Sequence, residues 1–335
     1  MSQIKKLLLV TDAWEPQVNG VVRTLKNTIA NLEVLGIETR VISPLLFFTI
    51  PCPSYPEIRL SITSRKKVEN LFYKDKFDAL HIATEGPLGL LAKKIAKKNK
   101  IPHTSAYHTR FPEYVHARIK LPVSISYFFL RNFHKNSSSV LVPSNSIIAE
   151  LEKRKFKNAK FWTRGVDHSI FKTVDEKKIN KTNPIFLCTG RLAVEKNLEA
   201  FLSLNLPGEK WVAGEGPQGE YLKKKYPNVK FFGVMPQSEL AILYRKADIF
   251  VFPSLTDTFG LVMVEAMACG LPVAAFPVPG PQDVVSQNIS GVLDEDLRVA
   301  CLKALDLKPQ DAIKRSKEFT WKIATDQFHS YLTKI

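Results

Sequence analysis

Apolar runs of strand length alternate with helix-like stretches along the whole chain. Five runs in the first half indicate buried strands: KKLLLVTD, TRVISP, ALHIAT, HTSAYH and SSVLVPS. Stretches with apolar residues at helical spacing lie between them: VVRTLKNTIANLEVLG, RKKVENLFYK, GLLAKKIAKKNK and SISYFFLRNFHK. Because strands that alternate with helices form parallel sheets, this pattern predicts the α/β class.

The alternation restarts in the second half, after a polar stretch at residues 161–184. The new strand candidates are PIFLCTGRL, KWVAGEG, VKFFGVM, DIFVFPS and PVAAFP. A chain of 335 residues also exceeds the usual size of one hydrophobic core. We therefore expect two doubly wound α/β domains joined by the polar stretch, with ligands bound where the parallel strands end.

Charge is distributed unevenly between the two halves. Residues 1–168 contain 27 Lys and Arg against 13 Asp and Glu, whereas the remainder contains 21 against 19, so nearly all of the net charge of +16 lies in the first half. This favours an anionic partner, either a nucleic acid or an acidic membrane leaflet. A lysine-rich composition with solvated helices such as AKKIAKKNK explains the excess equally well.

Other features of composition narrow the class of protein. No apolar run reaches the roughly 18 residues of a membrane span. The N-terminal run is too short for a signal peptide and is interpreted as a first strand. The four cysteines are scattered, which is typical of reduced cytosolic thiols and predicts neither a disulfide framework nor a metal site.

Two segments that follow predicted strands are candidates for binding an anion. In GRLAVEKNL, Arg191 and Lys196 lie in a loop and at the start of a helix expected near Glu195, which together would bind phosphate. A surface ion pair of these cations with Glu195 or Glu199 is the alternative. GEGPQ, with Glu215, could bring a nucleotide close to the backbone, or could be only a tight turn.

The stretch VFPSLTDTFGLVMVEAMACGLPV predicts a strand, a loop and a helix that begins near Gly260, capped by Thr258 or Asp257. The backbone N–H groups of Gly260 and Leu261 would then suit a diphosphate. Glu265 could accept hydrogen bonds from ribose hydroxyls, or could be a solvated helix residue. Its apolar neighbours favour the ligand interpretation.

Two loops of the first half carry further candidates. Asn19 and Gly20 precede the first helix, and Gly20 would allow a ligand to approach the backbone. The segment HTSAYHTRFPEYV places Tyr107, His108 and Arg110 after a predicted strand. A single histidine is more often structural, but a loop that also carries Tyr107 and Arg110 favours a site.

Taken together and in this order, these segments resemble the family 4 retaining glycosyltransferases of the GT-B fold. The resemblance covers nearly the whole chain. It rests on NGVVRTL, the His108 loop, VPS, RGVD, GRLAVEKNL, GEGP, FFGVMPQSEL and TDTFGLVMVEAMACGLPV. Within the family, PCPSYPEIRL and YHTRFPEYV are most similar to bacterial enzymes that glycosylate lipids, including diacylglycerol glucosyl- and glucuronosyltransferases and sulfolipid synthases.

The resemblance implies two Rossmann-like domains that face each other across a cleft. Residues 1–168 would form the acceptor-binding domain and residues 169–318 the nucleotide-sugar domain. Residues 319–335 would form a helix that crosses back to the first domain, anchored by Trp321 and Phe328.

The resemblance also implies roles for individual residues. The catalytic set would be His108, Asp257, Arg191 and Lys196. The nucleotide-sugar set would be Gly20, Arg191, Lys196, Glu215, Val234, Met235, Asp257, Phe259, Gly260, Leu261 and Glu265. Within it, Arg191, Lys196, Gly260 and Leu261 would bind the diphosphate, Glu265 the ribose, Asp257 and Phe259 the sugar, and Val234 with Met235 the base. His108 would lie near the reacting sugar, and Asn19, Tyr107 and Arg110 would contact the acceptor.

One residue departs from the family pattern. Many members carry Glu at the position of Asp257, and the shorter side chain changes how it would reach the sugar.

The implied reaction moves a sugar from a nucleotide donor to a lipid. The donor would be UDP-glucose or UDP-glucuronate and the acceptor diacylglycerol, with retention at the anomeric carbon by front-face displacement and without a metal or other cofactor. A GDP-mannose-dependent mannosyltransferase or a polysaccharide-directed enzyme is the alternative. A non-catalytic nucleic-acid-binding protein is a remote alternative, because the chain carries no recognised nucleic-acid module.

A lipid acceptor would place the enzyme in the cytoplasm, on the inner face of the cytoplasmic membrane. The basic first half would meet the anionic leaflet. Two apolar segments, SISYFFLRNFHK and LLFFTIPCP, could touch the membrane or belong to an ordinary core.

Overall fold

The computed structural model describes residues 4–17, 19–52, 55–174 and 176–335, which form two compact units. Unit 1 contains the chain up to Thr163 together with Trp321–Ile335, and unit 2 contains Arg164–Thr320. The sequence placed boundaries at 168/169 and 318/319, a few residues from these. Each unit is built on one six-stranded sheet in which all neighbouring strands are parallel.

Unit 1 alternates strands with helices, as predicted for the α/β class. Its strands are β1 (Lys6–Val10), β2 (Glu38–Ile42), β3 (Phe48–Cys52), β4 (Tyr55–Ile62), β5 (Ala79–Ile82), β6 (Thr104–Ala106), β7 (Ser139–Val142) and β8 (Ala159–Phe161). Its helices are α1 (Gly20–Val34), α2 (Arg65–Phe72), α3 (Pro87–Lys98), α4 (Phe111–Ile119), α5 (Val123–His134) and α6 (Asn145–Lys153). The parallel sheet has the order β2-β1-β5-β6-β7-β8, and β3 and β4 form a separate antiparallel hairpin.

Unit 2 repeats the architecture. Its strands are β9 (Ile185–Thr189), β10 (Glu209–Ala213), β11 (Lys230–Phe231), β12 (Ile249–Phe252), β13 (Val273–Ala275) and β14 (Gly291–Leu293), in the order β11-β10-β9-β12-β13-β14. Its helices are α7 (Leu198–Leu202), α8 (Gly219–Lys225), α9 (Gln237–Lys246), α10 (Leu261–Ala268), α11 (Pro281–Val284), α12 (Leu297–Ala304) and α13 (Pro309–Ser316). The last helix, α14 (Trp321–Tyr331), belongs to unit 1.

The central strands are apolar because helices cover both faces of each sheet. All residues of β7 and β12 are buried, in the sequences SVLV and IFVF. Continuous apolar runs are typical of strands in parallel sheets. Each buried Val, Leu, Ile or Phe side chain contributes about 1.5–3 kcal/mol, so these strands provide much of the core that holds the loops in place.

Helix α14 packs against α1 within unit 1. Phe328 is fully buried beside the Trp162 ring, with centroids 5.1 Å apart, and Trp162 Nε1 donates to the carbonyl oxygen of Ala324 at 2.9 Å. Of the two predicted anchors, Phe328 lies in the core and Trp321 stays half-buried.

Most of the polar stretch predicted as a linker packs on unit 2. Val166 N–H donates to Phe319 O at 3.1 Å, and Asn180 N–H donates to Asp248 Oδ1 at 2.7 Å. Across the described ranges, no helix combines the length and the apolar character needed to cross a bilayer.

Candidate functional site

The strand order of unit 2 reverses between its two neighbouring central strands, β9 and β12. The chain runs outward from β9 to β11 and then returns to the other side of β9 at β12. Loops diverge at such a switch point and leave a crevice at the carboxyl ends of the strands, where ligands of open α/β sheets bind. Arg191 and Lys196 follow β9 and Asp257 follows β12, so the structure brings these predicted residues to the switch point.

Lys196 and Asp257 form an ion pair across the switch point. Lys196 Nζ donates to Asp257 Oδ1 at 2.5 Å, and both side chains are largely shielded from solvent. The sequence alternative of a pair with Glu199 is wrong, because Glu199 is paired with Lys225. Burial raises the pKa of the nearby Cys188 thiol to about 12, so this thiol stays protonated.

Side chains of the second loop hold the first loop in place. The hydroxyls of Ser254 and Thr256 both donate to Glu195 O at 3.3 Å. In the other direction, Asn197 Nδ2 donates to Pro253 O at 3.1 Å. These bonds fix the backbone on either side of Lys196 and limit where its ammonium group can lie.

The second carboxylate oxygen of Asp257 has different surroundings. Oδ2 is buried and accepts no hydrogen bond from any described residue. A buried acceptor left without a donor costs about 1–3 kcal/mol, and more when it is charged. A polar ligand hydroxyl would be a suitable donor for it.

The helix expected to begin near Glu195 is not there. Val194–Lys196 form a single 3-10 turn, Asn197 adopts the left-handed conformation with φ 52°, and α7 begins only at Leu198. Lys196 therefore precedes the helix, and its own charge, rather than a helix dipole, makes this loop attractive to anions.

Two glycines allow the loops after β9 and β10 to touch. A Cβ on Gly214, which has φ 131°, would lie 1.9 Å from the carbonyl oxygen of Gly190. Leu192 N–H donates to Glu215 O at 2.9 Å and joins the same loops. Glu215 is exposed at this edge, so GEGPQ forms a close backbone layer rather than an isolated turn.

The loop after β11 carries the two predicted base contacts. Val234 is exposed, whereas Met235 is partly buried against the core of unit 2. Of these two side chains, Val234 is the more exposed.

Helix α10 begins at a glycine. Gly260 is the N-cap residue, with φ 87°, and has no side chain with which to cap the first turn, so neither Thr258 nor Asp257 occupies the N-cap position. A cap by Asp257 is wrong, because its Oδ1 accepts from Lys196 and its Oδ2 accepts from no described residue. The first-turn N–H groups from Leu261 onward point out of the helix end, as an anion site requires.

The ring of Phe259 faces the core and not a ligand. It is buried edge-on against Phe319, with centroids 5.6 Å apart. The expectation that its side chain faces the sugar is therefore wrong.

Glu265 is buried, which excludes the solvated-helix interpretation. Glu265 is only 2% exposed, and the Tyr244 hydroxyl donates a hydrogen bond to Glu265 Oε2 at 3.3 Å. The same hydroxyl lies 2.7 Å from Thr189 Oγ1. Tyr244 and Thr189 were missed by the sequence analysis, because nothing local links α9 to α10.

In unit 1, Asn19 and Gly20 serve the start of α1. Asn19 Oδ1 accepts from the N–H groups of Val21 and Val22, both at 3.0 Å, and Gly20 is the first helical residue. Asn19 Oδ1 caps the helix, so the prediction that this oxygen contacts the acceptor substrate is wrong.

The predicted acceptor residues after β6 are engaged within the protein. Tyr107 is fully buried with its hydroxyl 3.4 Å from that of Tyr127, and burial raises the pKa of Tyr107. Arg110 pairs with Glu150 at 3.0 Å and Glu113 at 3.4 Å. Burial opposes the charge of Arg110, but the two carboxylates raise its pKa above the ordinary value.

The prediction that the Tyr107 side chain contacts the acceptor substrate is therefore wrong. The same prediction for Arg110 has no support, because two carboxylates already balance its charge. His108 is half-buried, with its ring 5.6 Å from that of Trp162.

The switch point of unit 1 is occupied by a carboxylate that the sequence analysis missed. Asp12 follows β1 and accepts from Leu88 N at 2.8 Å, Thr84 Oγ1 at 2.9 Å and Gly89 N at 3.1 Å. Burial raises the pKa of Asp12. This carboxylate fills the strand ends and holds the start of α3.

Two families of known proteins match this chain, one in each half. Residues 18–170 match the family described as Glycosyltransferase Family 4, and residues 169–300 match Glycosyl transferases group 1. Together the two matches extend over most of the chain.

Three curated relatives illustrate the range of this family. The alpha-monoglucosyldiacylglycerol synthase of Streptococcus pneumoniae is 27% identical over 96% of this chain and 82% of its own length. The sulfoquinovosyl transferase of Arabidopsis thaliana is 30% identical over 82% of this chain, which spans 60% of that enzyme. A GDP-mannose-dependent alpha-mannosyltransferase of Corynebacterium glutamicum is 26% identical over 86% of this chain and 76% of its own length.

Solved structures share the fold. Sucrose-phosphate synthase from Thermosynechococcus elongatus superposes with a TM-score of 0.76 at 20% identity, covering 97% of this chain and 98% of that one. The Anabaena HepE protein in complex with UDP-glucose gives a TM-score of 0.68 at 17% identity, covering 97% and 98%. Both sheets, the two family matches and these neighbours agree: the chain belongs to the family 4 type of glycosyltransferase, with the GT-B fold.

Proposed function

We propose that the protein is a retaining, metal-independent hexosyltransferase that moves a hexose or hexuronate from a UDP-sugar to diacylglycerol. The observation that carries the proposal is the Lys196–Asp257 pair at the switch point of unit 2. It sets a cation where a diphosphate would lie, and beside it a carboxylate oxygen that has no donor among the described residues.

The departing diphosphate is the group that needs most stabilisation. Arg191 and Lys196 supply positive charge, and the first-turn N–H groups at Gly260 and Leu261 supply oriented dipoles. In the proposed step, the acceptor oxygen forms a bond to the anomeric carbon on the face from which UDP leaves. The bond to the phosphate oxygen breaks with its electron pair, and the acceptor proton passes to that oxygen.

Acidic residues would position the donor rather than attack it. Asp257 Oδ2 would accept from a sugar hydroxyl, and Glu265 would accept from the ribose once the donor enters. A retaining glycosidase needs two carboxylates about 5–5.5 Å apart on either side of the bond. A glycosyltransferase whose leaving group is already a diphosphate does not need that pair.

The lipid acceptor is supported by the relatives and by charge. The pneumococcal relative is named for diacylglycerol, and the basic first half suits an anionic leaflet at the inner face of the cytoplasmic membrane. The mannosyltransferase relatives support the second candidate, a GDP-mannose donor.

A donor panel separates these candidates. The purified protein is incubated with diacylglycerol in mixed micelles and with UDP-glucose, UDP-glucuronate, UDP-galactose or GDP-mannose, and the lipid is analysed by mass spectrometry. We expect a hexosyl or hexuronosyl diacylglycerol from a UDP-sugar, in equal yield with and without EDTA. A product from GDP-mannose alone would favour the second candidate, and EDTA inhibition reversed by a divalent cation would overturn metal independence.

A further inference from the structure

Helix α5 carries large apolar side chains on two opposite faces. Tyr127, Leu130 and Phe133 are buried in unit 1. On the other side, Ile125, Phe128 and Phe129 are 54%, 64% and 47% exposed. Their spacing of three and four residues places them on one outward face. The outward face of a surface helix is normally polar, so three large apolar side chains on the outward face of α5 are unusual.

The apolar face has cationic and no acidic neighbours along the chain. Residues 119–135 contain Lys120, Arg131 and Lys135 but neither Asp nor Glu. The guanidinium of Arg131 lies 5.7 Å from the centroid of the Phe128 ring. A positive charge therefore lies directly beside an exposed aromatic ring on the surface of α5.

A second basic segment is attached to the same helix. Residues 153–160 have the sequence KRKFKNAK, with five cations and no acid. Arg131 Nη1 donates to Arg154 O at 3.3 Å, and the Arg154 guanidinium lies 3.8 Å from the Tyr127 ring centroid. Arg131 thus lies against both the exposed Phe128 ring and the backbone of the basic segment.

The lysines of this segment are directed to solvent. Those at 153, 155, 157 and 160 are exposed, and none of them pairs with an acid among the described residues. Unneutralised charge beside exposed apolar side chains is the composition of surfaces that lie in a lipid headgroup region.

We propose that this α5 surface, made of Ile125, Phe128, Phe129, Arg131 and residues 153–160, docks the protein on an anionic lipid leaflet. The proposal rests on the proposed function, since a diacylglycerol acceptor must be drawn from a bilayer. A leaflet suits both parts of the surface at once, because acyl chains take the apolar side chains while headgroup phosphates meet the lysines. A second copy of the same surface would instead bring like charges together.

The test is co-sedimentation of the full-length protein with vesicles of phosphatidylglycerol and phosphatidylcholine, and with vesicles of phosphatidylcholine alone. The first variant is Phe128→Ser with Phe129→Ser, and the second is Lys155→Gln with Lys157→Gln. One lysine near an anionic surface contributes about fivefold in binding, so the second variant should bind roughly 25-fold more weakly to anionic vesicles. The first should lose at least about tenfold, and roughly 1 M salt should release the wild type.

Matched controls come from the same unit. Leu46→Ser with Phe48→Ser removes two exposed apolar side chains from the segment around the start of β3, and Lys66→Gln with Lys67→Gln removes two exposed lysines from α2. Both controls should bind within about twofold of the wild type. Wild-type binding by the two α5 variants, or an equal loss in the controls, would overturn the proposal. Binding of single-stranded RNA without binding of vesicles would also overturn the proposal. Sedimentation velocity showing that two copies of the protein associate through α5 would overturn it as well.

Sugar transfer to diacylglycerol in neutral detergent micelles distinguishes failure of the proposed function from failure of the α5 docking surface. We expect the α5 variants to retain wild-type turnover in micelles and to lose it on anionic vesicles. If vesicle binding depends on α5 but no donor gives a lipid product, only the proposed function fails. If lipid product forms and the α5 variants bind vesicles normally, only the docking surface fails.

Discussion

Asp257 has one carboxylate oxygen on Lys196 and the other without a donor among the described residues. If Oδ2 binds the donor sugar, Asp257→Asn should weaken UDP-sugar binding by about 10- to 100-fold, the value of a hydrogen bond to a charged group. Binding of UDP alone should change little, because UDP lacks the sugar hydroxyl. Isothermal titration with both ligands measures the difference.

Lys230 and Glu209 provide the matched control for that pair, since they form an exposed ion pair in the same unit at 2.7 Å. Glu209→Gln should leave both affinities unchanged. Equal weakening of UDP and UDP-sugar by Asp257→Asn would contradict a sugar contact and point to a role confined to holding Lys196.

Tyr244 is expected to act as a positioning residue through its hydroxyl, which links Thr189 to Glu265. Tyr244→Phe should leave the ring packing intact and allow the Glu265 carboxylate to turn. We expect the KM for the donor to rise several-fold, kcat to change by less than twofold, and the free energy of unfolding to fall by about 1 kcal/mol.

Tyr226→Phe is the matched control in unit 2, because the Tyr226 hydroxyl bonds only weakly to Glu199, at 3.4 Å. It should leave KM unchanged. A loss of stability in Tyr244→Phe without any change in KM would show that the hydroxyl serves the core alone.

Residue types at strand ends could be predicted from sequence, but their partners could not. Arg191, Lys196 and Asp257 were placed near one another because each follows a strand of one parallel sheet. Asn19 and Tyr107 had equally suitable side chains, yet one caps a helix and the other is buried. The difference lies in contacts between segments far apart in the chain, which no local pattern records.

At the scale of elements, all ten predicted strand segments form strands, because a buried strand in a parallel sheet is a continuous apolar run. Two edge strands, β8 and β14, were missed because their sequences AKF and GVL do not belong to a longer apolar run. LLFFTIPCP, expected either to touch the membrane or to belong to an ordinary core, includes β3. The turn at Val194–Lys196 was mistaken for a helix start because the left-handed conformation of Asn197 is invisible in composition.

The loops after β9 and β10 touch so closely at Gly214 that a side chain there should destabilise the protein. Gly214→Ala would place a Cβ 1.9 Å from Gly190 O at φ 131°. Strain and overlap together should lower the free energy of unfolding by about 3 kcal/mol or more, and UDP binding should weaken as the loops separate. Urea unfolding and calorimetry measure both effects.

Gly36→Ala is the control, because Gly36 also has positive φ, 76°, but has nothing within 4 Å of the added carbon. It should cost only about 1–2 kcal/mol and leave UDP binding intact. A Gly214→Ala protein as stable as the Gly36→Ala protein would mean that the two loops have room to move apart.

At the scale of the whole molecule, the C-terminal helix is part of unit 1 although it follows unit 2 in the chain. Phe328→Ala should therefore destabilise unit 1 by about 3–5 kcal/mol, as for other fully buried phenylalanines. Ile323→Ala, on the exposed side of the same helix, should change stability by less than about 0.5 kcal/mol. Urea unfolding followed by tryptophan fluorescence compares them, and equal stabilities would contradict the packing of α14.

In the proposed function, the cations at the unit 2 switch point drive transfer of a sugar from UDP to a lipid. The most direct test is transfer of labelled sugar from UDP-glucose or UDP-glucuronate into the chloroform-soluble fraction, for the wild type beside Lys196→Ala. We expect a labelled glycosyl diacylglycerol from the wild type and at least a hundredfold slower transfer by the folded variant. Absence of label from the lipid with both donors, or equal rates for the two proteins, would contradict it.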